Sequence, residues 1–427
     1  SFLFLMFWGI GISLNVFGTL LSTINLSFHR RKQKQRTKFL PISILKPIKG
    51  VDSDLTDNLT TFFHLDYLQY ELIFSVADFE DPAIPMIQKV RSQYSHVPSS
   101  LIIGEKICGP NPKVNNLVQS FDKARHEWIL ISDSNVRVQP NFLKEMMKSV
   151  DDKTGVVTSV VAGRRPKYLG GRLESIYLTT FYARFMHLAS LFGHPCVVGK
   201  AMLFSRSVCQ RLGGLKVFAT YLAEDYMFGL AVQKLGYEVK LSHQPVDQHI
   251  GFYHFKDFWR RHLRWGRIRK SQASLAFLIE PFFTSSVLTG VMGAAAFSFF
   301  GIYSFWLVFT VHLLLWFTND VILQLQLITR LPVLTPFFWF IREVLAFPLW
   351  LHTMLGDTVF WRGRIYRVHD GGLLDPVFIS DEENQLWQMI PKFYRFCGGL
   401  QRVAIRLKER ISIIIGGIGK WMATSRV

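Results

Sequence analysis

The chain has only four cysteines in 427 residues, and Cys108, Cys196, Cys209 and Cys397 form neither a CxxC nor a paired spacing. This argues against a disulfide framework and fits a reducing, cytosolic setting. The histidines form no zinc-ligand cluster. No internal repeat or low-complexity segment is present, which excludes solenoids and compositionally biased linkers. Acidic residues are few: 31 Asp and Glu stand against 49 Lys and Arg, a formal net charge of +18. Residues 1–28 and 281–319 contain no Asp, Glu, Lys or Arg at all.

Strong positive charge with a mean hydropathy of +0.20 is an unusual pairing for a soluble enzyme. The charge suits nucleic acid, anionic lipid or an anionic substrate. The long apolar stretches favour a membrane surface and argue against nucleic acid. Residues 1–28 are long enough to cross a bilayer. His29-Arg30-Arg31-Lys32, Lys34, Arg36 and Lys38 follow at once. A signal peptide would carry its basic end first and a small-residue cleavage site after Phe28, so an anchor is the better reading. The positive-inside rule then places the N-terminus outside and the chain after Arg30 in the cytosol.

Residues 39–272 read as the soluble unit. Ile42-Ser43-Ile44-Leu45, residues 71–76, Leu101-Ile102-Ile103-Gly104 and Trp128-Ile129-Leu130-Ile131 are short apolar runs closed by polar loops. Such runs are expected to be buried parallel strands. Helical patterns at residues 82–94 and 113–124 alternate with them, which predicts an α/β, doubly wound nucleotide-binding domain. Ligands of such sheets sit at the carboxyl ends of the strands. Residues 176–204 are apolar but interrupted by Arg184, His187 and Lys200, and read as interfacial helices plus a buried strand. Residues 273–361 read as C-terminal transmembrane or re-entrant helices. Two of them should turn near Gly301-Ile302-Tyr303-Ser304, and a further one or a re-entrant pair carries Arg342-Glu343 at its middle. Residues 362–427 read as a basic interfacial tail on anionic lipid, with an acidic patch at Asp381-Glu382-Glu383.

Asp78, Asp133 and Glu224-Asp225 stand in order upstream of Arg261-His262-Leu263-Arg264-Trp265. This D…D…ED…RxxRW pattern resembles the membrane-bound family 2 type glycosyltransferases. With residues 44–50, Asp81-Pro82-Ala83-Ile84 and Asn111-Pro112-Lys113-Val114-Asn115-Asn116-Leu117, the chain most resembles the ceramide glucosyltransferase family, over roughly residues 41–272. The resemblance implies a GT-A-like fold and an inverting hexosyl transfer from a nucleoside diphosphate sugar. It implies UDP-glucose as donor, the primary hydroxyl of a ceramide-like lipid as acceptor, and glucosylceramide as product. The site would face the cytosol, at a bacterial inner membrane or at a Golgi or ER membrane.

A diphosphate leaving group gains negative charge, which a divalent cation can neutralise through oxygen ligands. Asp133, at the tip of a strand, is the candidate ligand for Mn²⁺ or Mg²⁺, although the usual DxD reads Asp133-Ser134-Asn135 here. The resemblance assigns Asp78 and Lys113 to the nucleotide. Asp81, just before Pro82, is expected to cap the following helix. Transfer to an alcohol needs a base for its proton, and Asp225 is the candidate, with Glu224 as the alternative. Arg264 and, following the motif, Arg261 offer forked donors to phosphate. Trp265 offers a flat platform to the acceptor.

Animal members of the family carry His-Pro-Arg where this chain reads Tyr182-Ala183-Arg184, which suggests a bacterial-type branch with a different lipid acceptor. His194 is expected to be structural, while the Gly199-Lys200-Ala201-Met202 segment should bring backbone close to the donor or acceptor. Alternative readings are glycosylation of a hopanoid or other membrane lipid, a processive polysaccharide synthase, and an inactive membrane scaffold.

Overall fold

The computed structural model describes residues 2–28 and 39–377. The basic run after Phe28, the acidic patch at Asp381 and the basic tail beyond it lie outside the described residues. α1 (Phe2–Phe28) runs unbroken, with neither charge nor proline to interrupt it.

The expected strands form where the apolar runs lie: β1 (Ile42–Ile48), β2 (Tyr70–Val76), β3 (Ser99–Ile103) and β4 (Trp128–Ile131). α2 (Leu55–Phe63), α3 (Ala83–Gln93) and α4 (Pro112–Lys123) connect them. The four strands pair in parallel in the order β3-β2-β1-β4. β1 and β4 are buried along their whole length, so both faces demand apolar side chains or paired polar ones.

Past β4 the sheet departs from the all-parallel expectation. β5 (Val136–Arg137), α5 (Phe142–Lys148) and β6 (Thr154–Pro166) lead to α6 (Leu169–Tyr177), a π-helical turn (Leu178–Tyr182) and α7 (Ala183–Leu191). β7 (Met202–Ser205), α8 (Arg206–Arg211), α9 (Glu224–Lys234), β8 (Glu238–Gly251) and α10 (Phe255–Gln272) complete the unit. The full order is β3-β2-β1-β4-β7-β6-β8-β5. β7 runs antiparallel to both β4 and β6, which makes the sheet mixed.

After α11 (Ser274–Ile279) and α12 (Pro281–Thr284) come α13 (Ser286–Phe299), α14 (Phe305–Leu327) and α15 (Thr335–Met354). Among the described residues two helices are long and apolar enough to cross a bilayer, Phe2–Ser27 and Phe305–Leu327. α13 and α14 turn near Gly301 as expected, and α15 is one continuous helix, not a re-entrant pair. Its mid-helix charges are internally matched. Arg342 pairs with Glu343, and Glu343 Oε2 accepts the Ser286 N–H at 2.7 Å, capping α13.

A second buried pair ties the helices together. Arg184 of α7 pairs with Asp320 of α14, donates from Nε to Thr19 Oγ1 of α1 at 3.2 Å, and shares Asp320 with Trp339 Nε1 of α15 at 2.7 Å.

The start of the expected tail is corrected. β9 (Thr358–Trp361), β10 (Arg364–Val368) and β11 (Leu374–Pro376) form a small antiparallel sheet packed on α10. The boundary placed at residue 362 falls inside a hairpin. The short apolar run Val359-Phe360-Trp361 and the β-branched and aromatic residues of Arg364-Ile365-Tyr366-Arg367-Val368 flank Arg362-Gly363, a hairpin pattern that the basic-tail reading passed over.

Arg184→Met should leave Asp320 buried without its cation and destabilise the protein by about 3–5 kcal/mol. Adding Asp320→Leu should recover most of that loss, read as thermal unfolding in detergent. Equal stability of the single variant and the parent would show that the pair does not hold the helices.

Candidate active site

The site forms where β1, β2 and β4 end and β7 begins. Because β7 pairs antiparallel with β4, Ile131 lies opposite Met202. Two residues further along each strand's end, Asp133 meets Lys200. Lys200 Nζ lies 2.9 Å from Asp133 Oδ2 and donates to Asn135 Oδ1 at 2.7 Å. Lys113, from the first turn of α4, lies 3.2 Å from Asp133 Oδ1 and 2.9 Å from Glu224 Oε1. Beneath them Lys46 of β1 is fully buried over the Phe62 ring, and its Nζ donates to the Asp133 carbonyl at 2.8 Å.

Asn111 explains why Lys113 and Glu224 meet. Its Oδ1 accepts the N–H groups of Lys113 and Val114, which caps α4 ahead of Pro112. Its Nδ2 donates to the Tyr221 carbonyl at 2.8 Å and to Glu224 Oε2 at 3.1 Å. One amide therefore binds α4 to the loop before α9.

Glu224 and Asp225 are adjacent in sequence but differ in surroundings. Glu224 is held by Lys113 and Asn111. Among the described residues, Asp225 accepts only backbone N–H groups, from Gly199 at 2.7 Å and from Tyr226 at 2.9 Å. A side chain on Gly199 would strike the Lys113 ammonium, so the close approach requires glycine. Loss of water, then the charge of Glu224, raise the Asp225 carboxyl to about 6 against the pull of Lys113 and the two N–H groups. Burial opposes the charge of Asp133, but Lys113 and Lys200 outweigh it and hold that carboxyl well below the usual range. Burial lowers the Lys113 ammonium, yet Asp133, Glu224 and Asp225 together raise it. For Lys200 burial dominates and lowers it.

Of the residues expected from sequence, the structure thus brings Lys113, Asp133, Glu224 and Asp225 together. Asp78 lies two strands from Asp133, just past the end of β2, exposed, with its carboxylate accepting the Glu80 N–H at 3.0 Å. Asp81 takes the capping role expected of it, accepting from Ala83 and Gly50. α10 carries the other three. Arg261 lies 3.1 Å from buried Glu174 and 4.3 Å from the Trp265 ring centre, so much of its fork is committed within the protein and less is left for phosphate. Arg264 makes no ion pair among the described residues; burial, then Arg261, lower its guanidinium to about 10. Trp265 lies nearly parallel to Tyr182, 6.0 Å between ring centres, and also meets Tyr177.

Sequence reasoning missed Lys46, Asn111, Glu174 and Lys200 as working parts. Lys200 sat in a segment expected near the substrates, but its partner depends on a strand register that no local pattern reveals.

Asp133 and Asn135 provide the oxygens available to a divalent cation. Both Asp133 oxygens are engaged by lysines, and no group of three His, Cys, Asp or Glu side chains converges among the described residues. This donor set fits only a cation that completes its shell with phosphate oxygens and water.

The chain is 28% identical over 337 residues to "Ceramide glucosyltransferase 1" of Caenorhabditis elegans, covering 78% of this chain and 72% of that protein. It is 28% identical to the "Ceramide glucosyltransferase" of Komagataella phaffii, covering 77% of this chain and 82% of that one. These relatives are a nematode and a yeast protein and lend no support to the bacterial-type branch. Among solved structures, a mannosyltransferase from Pyrobaculum calidifontis in complex with GDP-Man and Mn²⁺ is similar at TM-score 0.45 and 14% identity, covering 75% of this chain and 97% of that one. The family model for glycosyl transferase family 21 matches residues 10–374, from within α1 to the start of β11, and the chain belongs to that family.

Proposed function

We propose that this glycosyltransferase moves glucose from UDP-glucose to the primary hydroxyl of ceramide, with inversion, giving glucosylceramide. The observation that carries the reading is Asp225, a carboxylate with no ion pair among the described residues, next to a lysine-rich site in a family 21 chain. Asp225 accepts the proton of the acceptor hydroxyl. The hydroxyl oxygen bonds to C1 of the glucose from the face opposite the diphosphate. The bond from C1 to the phosphate oxygen breaks, and UDP leaves with the electron pair. Lys113, Lys200 and Arg264 balance the charge that develops there. Asp133 and Asn135 would hold a divalent cation, Mn²⁺ or Mg²⁺, which neutralises the same charge when bound. Asp78 faces the base and ribose. Trp265 seats the acceptor, which arrives from the bilayer. α1 and α14 anchor the protein, and the catalytic unit lies on the cytosolic side.

Purified protein supplied with radiolabelled UDP-sugars and a lipid panel should form glucosylceramide from UDP-glucose. Transfer only to a hopanoid or other lipid, or to none, would overturn the reading.

Asp225→Asn should retain UDP-glucose binding and lose about 10²–10⁴-fold in transfer rate, the usual worth of a positioned base. The base works deprotonated and its carboxyl sits at about 6. The transfer rate should therefore rise tenfold per pH unit below that value and level off above it. A flat profile between pH 5 and pH 8 would remove Asp225 from this role.

Rigorous chelation should suppress transfer, and Mn²⁺ or Mg²⁺ should restore it. Full activity after chelation would assign the phosphate charge to Lys113, Lys200 and Arg264 alone.

Trp265→Ala should nearly abolish transfer while sparing UDP affinity, because misplacing the reacting group by about 1 Å costs on the order of 100-fold. A parallel fall in yield and UDP affinity, restored by Trp265→Phe, would mark a packing role instead.

A further inference from the structure

The hairpin between β9 and β10 carries an arginine where backbone chemistry disfavours one. Trp361 pairs with Arg364, so the turn is the two residues Arg362-Gly363. Both have positive φ, +50° at Arg362 and +86° at Gly363. A two-residue turn with both residues in that region normally takes Asn, Asp or Gly at its first position. A long, charged side chain there is an outlier whose cost asks for a return in function.

The hairpin is held firmly against the active site. Arg267 of α10 donates to the Thr358 carbonyl, and the Arg260 guanidinium lies 4.8 Å from the Phe360 ring centre. The Leu222 N–H donates to the Gly372 carbonyl at 3.2 Å, and Tyr221 bridges Leu373. Leu222, Ile268, Val359 and Tyr366 form one apolar cluster, against which Ala223, Trp265 and Trp361 pack. The loop that delivers Glu224 and Asp225, the RxxRW helix and the hairpin are therefore one packed body.

At its tip, Arg362 is half-buried and forms no ion pair among the described residues. Burial weakens its charge. The groups that act to hold the charge are, in order, Asp133, Glu224, Glu105 and Tyr366. Arg264 is the opposing cation, and it also lacks an ion-pair partner among the described residues. Arg362 thus lies within electrostatic range of Asp133 and Glu224, and of the Arg264 guanidinium, without an ion pair to either carboxylate among the described residues. An unmatched, partly desolvated charge is costly, and an anionic ligand removes that cost. The planar fork of arginine suits phosphate oxygens.

We propose that Arg362 is a donor-binding residue which, from the tip of the C-terminal hairpin, grips the diphosphate of the nucleotide sugar opposite Lys113 and Asp133. This rests on the reading of the site as a UDP-glucose site.

The test is competition of UDP and of uridine against radiolabelled UDP-glucose on the purified full chain. The variants are Arg362→Gly and Arg362→Lys. Glycine accepts positive φ freely, so Arg362→Gly should fold and melt at the same temperature as the parent or higher. It should nevertheless bind UDP about ten- to a hundred-fold more weakly, the scale of a lost charge-assisted hydrogen bond. Uridine, which has no phosphate, should be unaffected. Arg362→Lys should recover part of the loss. Unchanged UDP affinity in Arg362→Gly, or equal losses for UDP and uridine, would overturn the proposal while leaving the UDP-glucose reading in place. Failure of the parent protein to bind UDP would overturn both.

Discussion

The buried charge lattice around Asp133 is the constraint on which the rest of the site depends. Lys46 fixes its backbone from below, and Lys113 and Lys200 take one carboxylate oxygen each. All three lysines are withdrawn from water, so each needs its partner to stay charged. The three come from β1, α4 and the approach to β7, and only the sheet brings these together. A donor diphosphate entering this lattice meets two kinds of cation. Lys113 and Lys200 are compact point charges already shared with Asp133. Arg264 and Arg362 are forks without an ion-pair partner among the described residues. The lattice therefore keeps the pocket organised before the donor arrives, and the arginines give the arriving anion partners of its own.

The same lattice explains the division of work between Glu224 and Asp225. Two acidic neighbours at the start of a helix would both gain from its positive end. Here Glu224 turns to Lys113 and Asn111 and becomes a strut between α4 and α9. Asp225 turns to the Gly199 backbone, and the charge of Glu224 beside it helps raise its carboxyl. A base for an alcohol proton is better when its pKa approaches the working pH. In the function proposed above, the strut would tune the base without touching the acceptor.

Much of this was legible in the sequence. The four parallel strands, the long apolar N-terminal helix and the convergence of Lys113, Asp133, Glu224 and Asp225 follow from apolar runs and motif order. What was not legible depends on long-range register. Lys200 reaches Asp133 because β7 is antiparallel to β4, and nothing in Met202-Leu203-Phe204-Ser205 says so. Arg261 read as a phosphate ligand because Glu174, its partner 87 positions upstream, carries no local signature. The C-terminal sheet was hidden for another reason: the basic-tail reading, drawn from the charges beyond Lys392, was extended back over strands of only three to five residues.

α10 connects the apolar helices to the chemistry. Toward the helices, Trp259 Nε1 donates to His352 Nδ1 at 3.0 Å, and Lys270 Nζ donates to the Gly356 carbonyl at 2.7 Å. Toward the sheet, Glu174 holds Arg261 and His262 together from α6. Tyr177, just before the π-helical turn, and Tyr182, its last residue, lie against Trp265. A π-turn inserts an extra residue into a helix and shifts the faces that follow it. Here it lets Tyr182 face the site while Arg184, two residues on, faces Asp320 among the apolar helices. The Tyr182-Ala183-Arg184 triplet therefore serves two environments from one turn. In the function proposed above, a lipid acceptor keeps its tails among apolar helices while its hydroxyl reaches Asp225. Placing the aromatic seat and the buried ion pair within one turn of the same helix meets both demands with a single element.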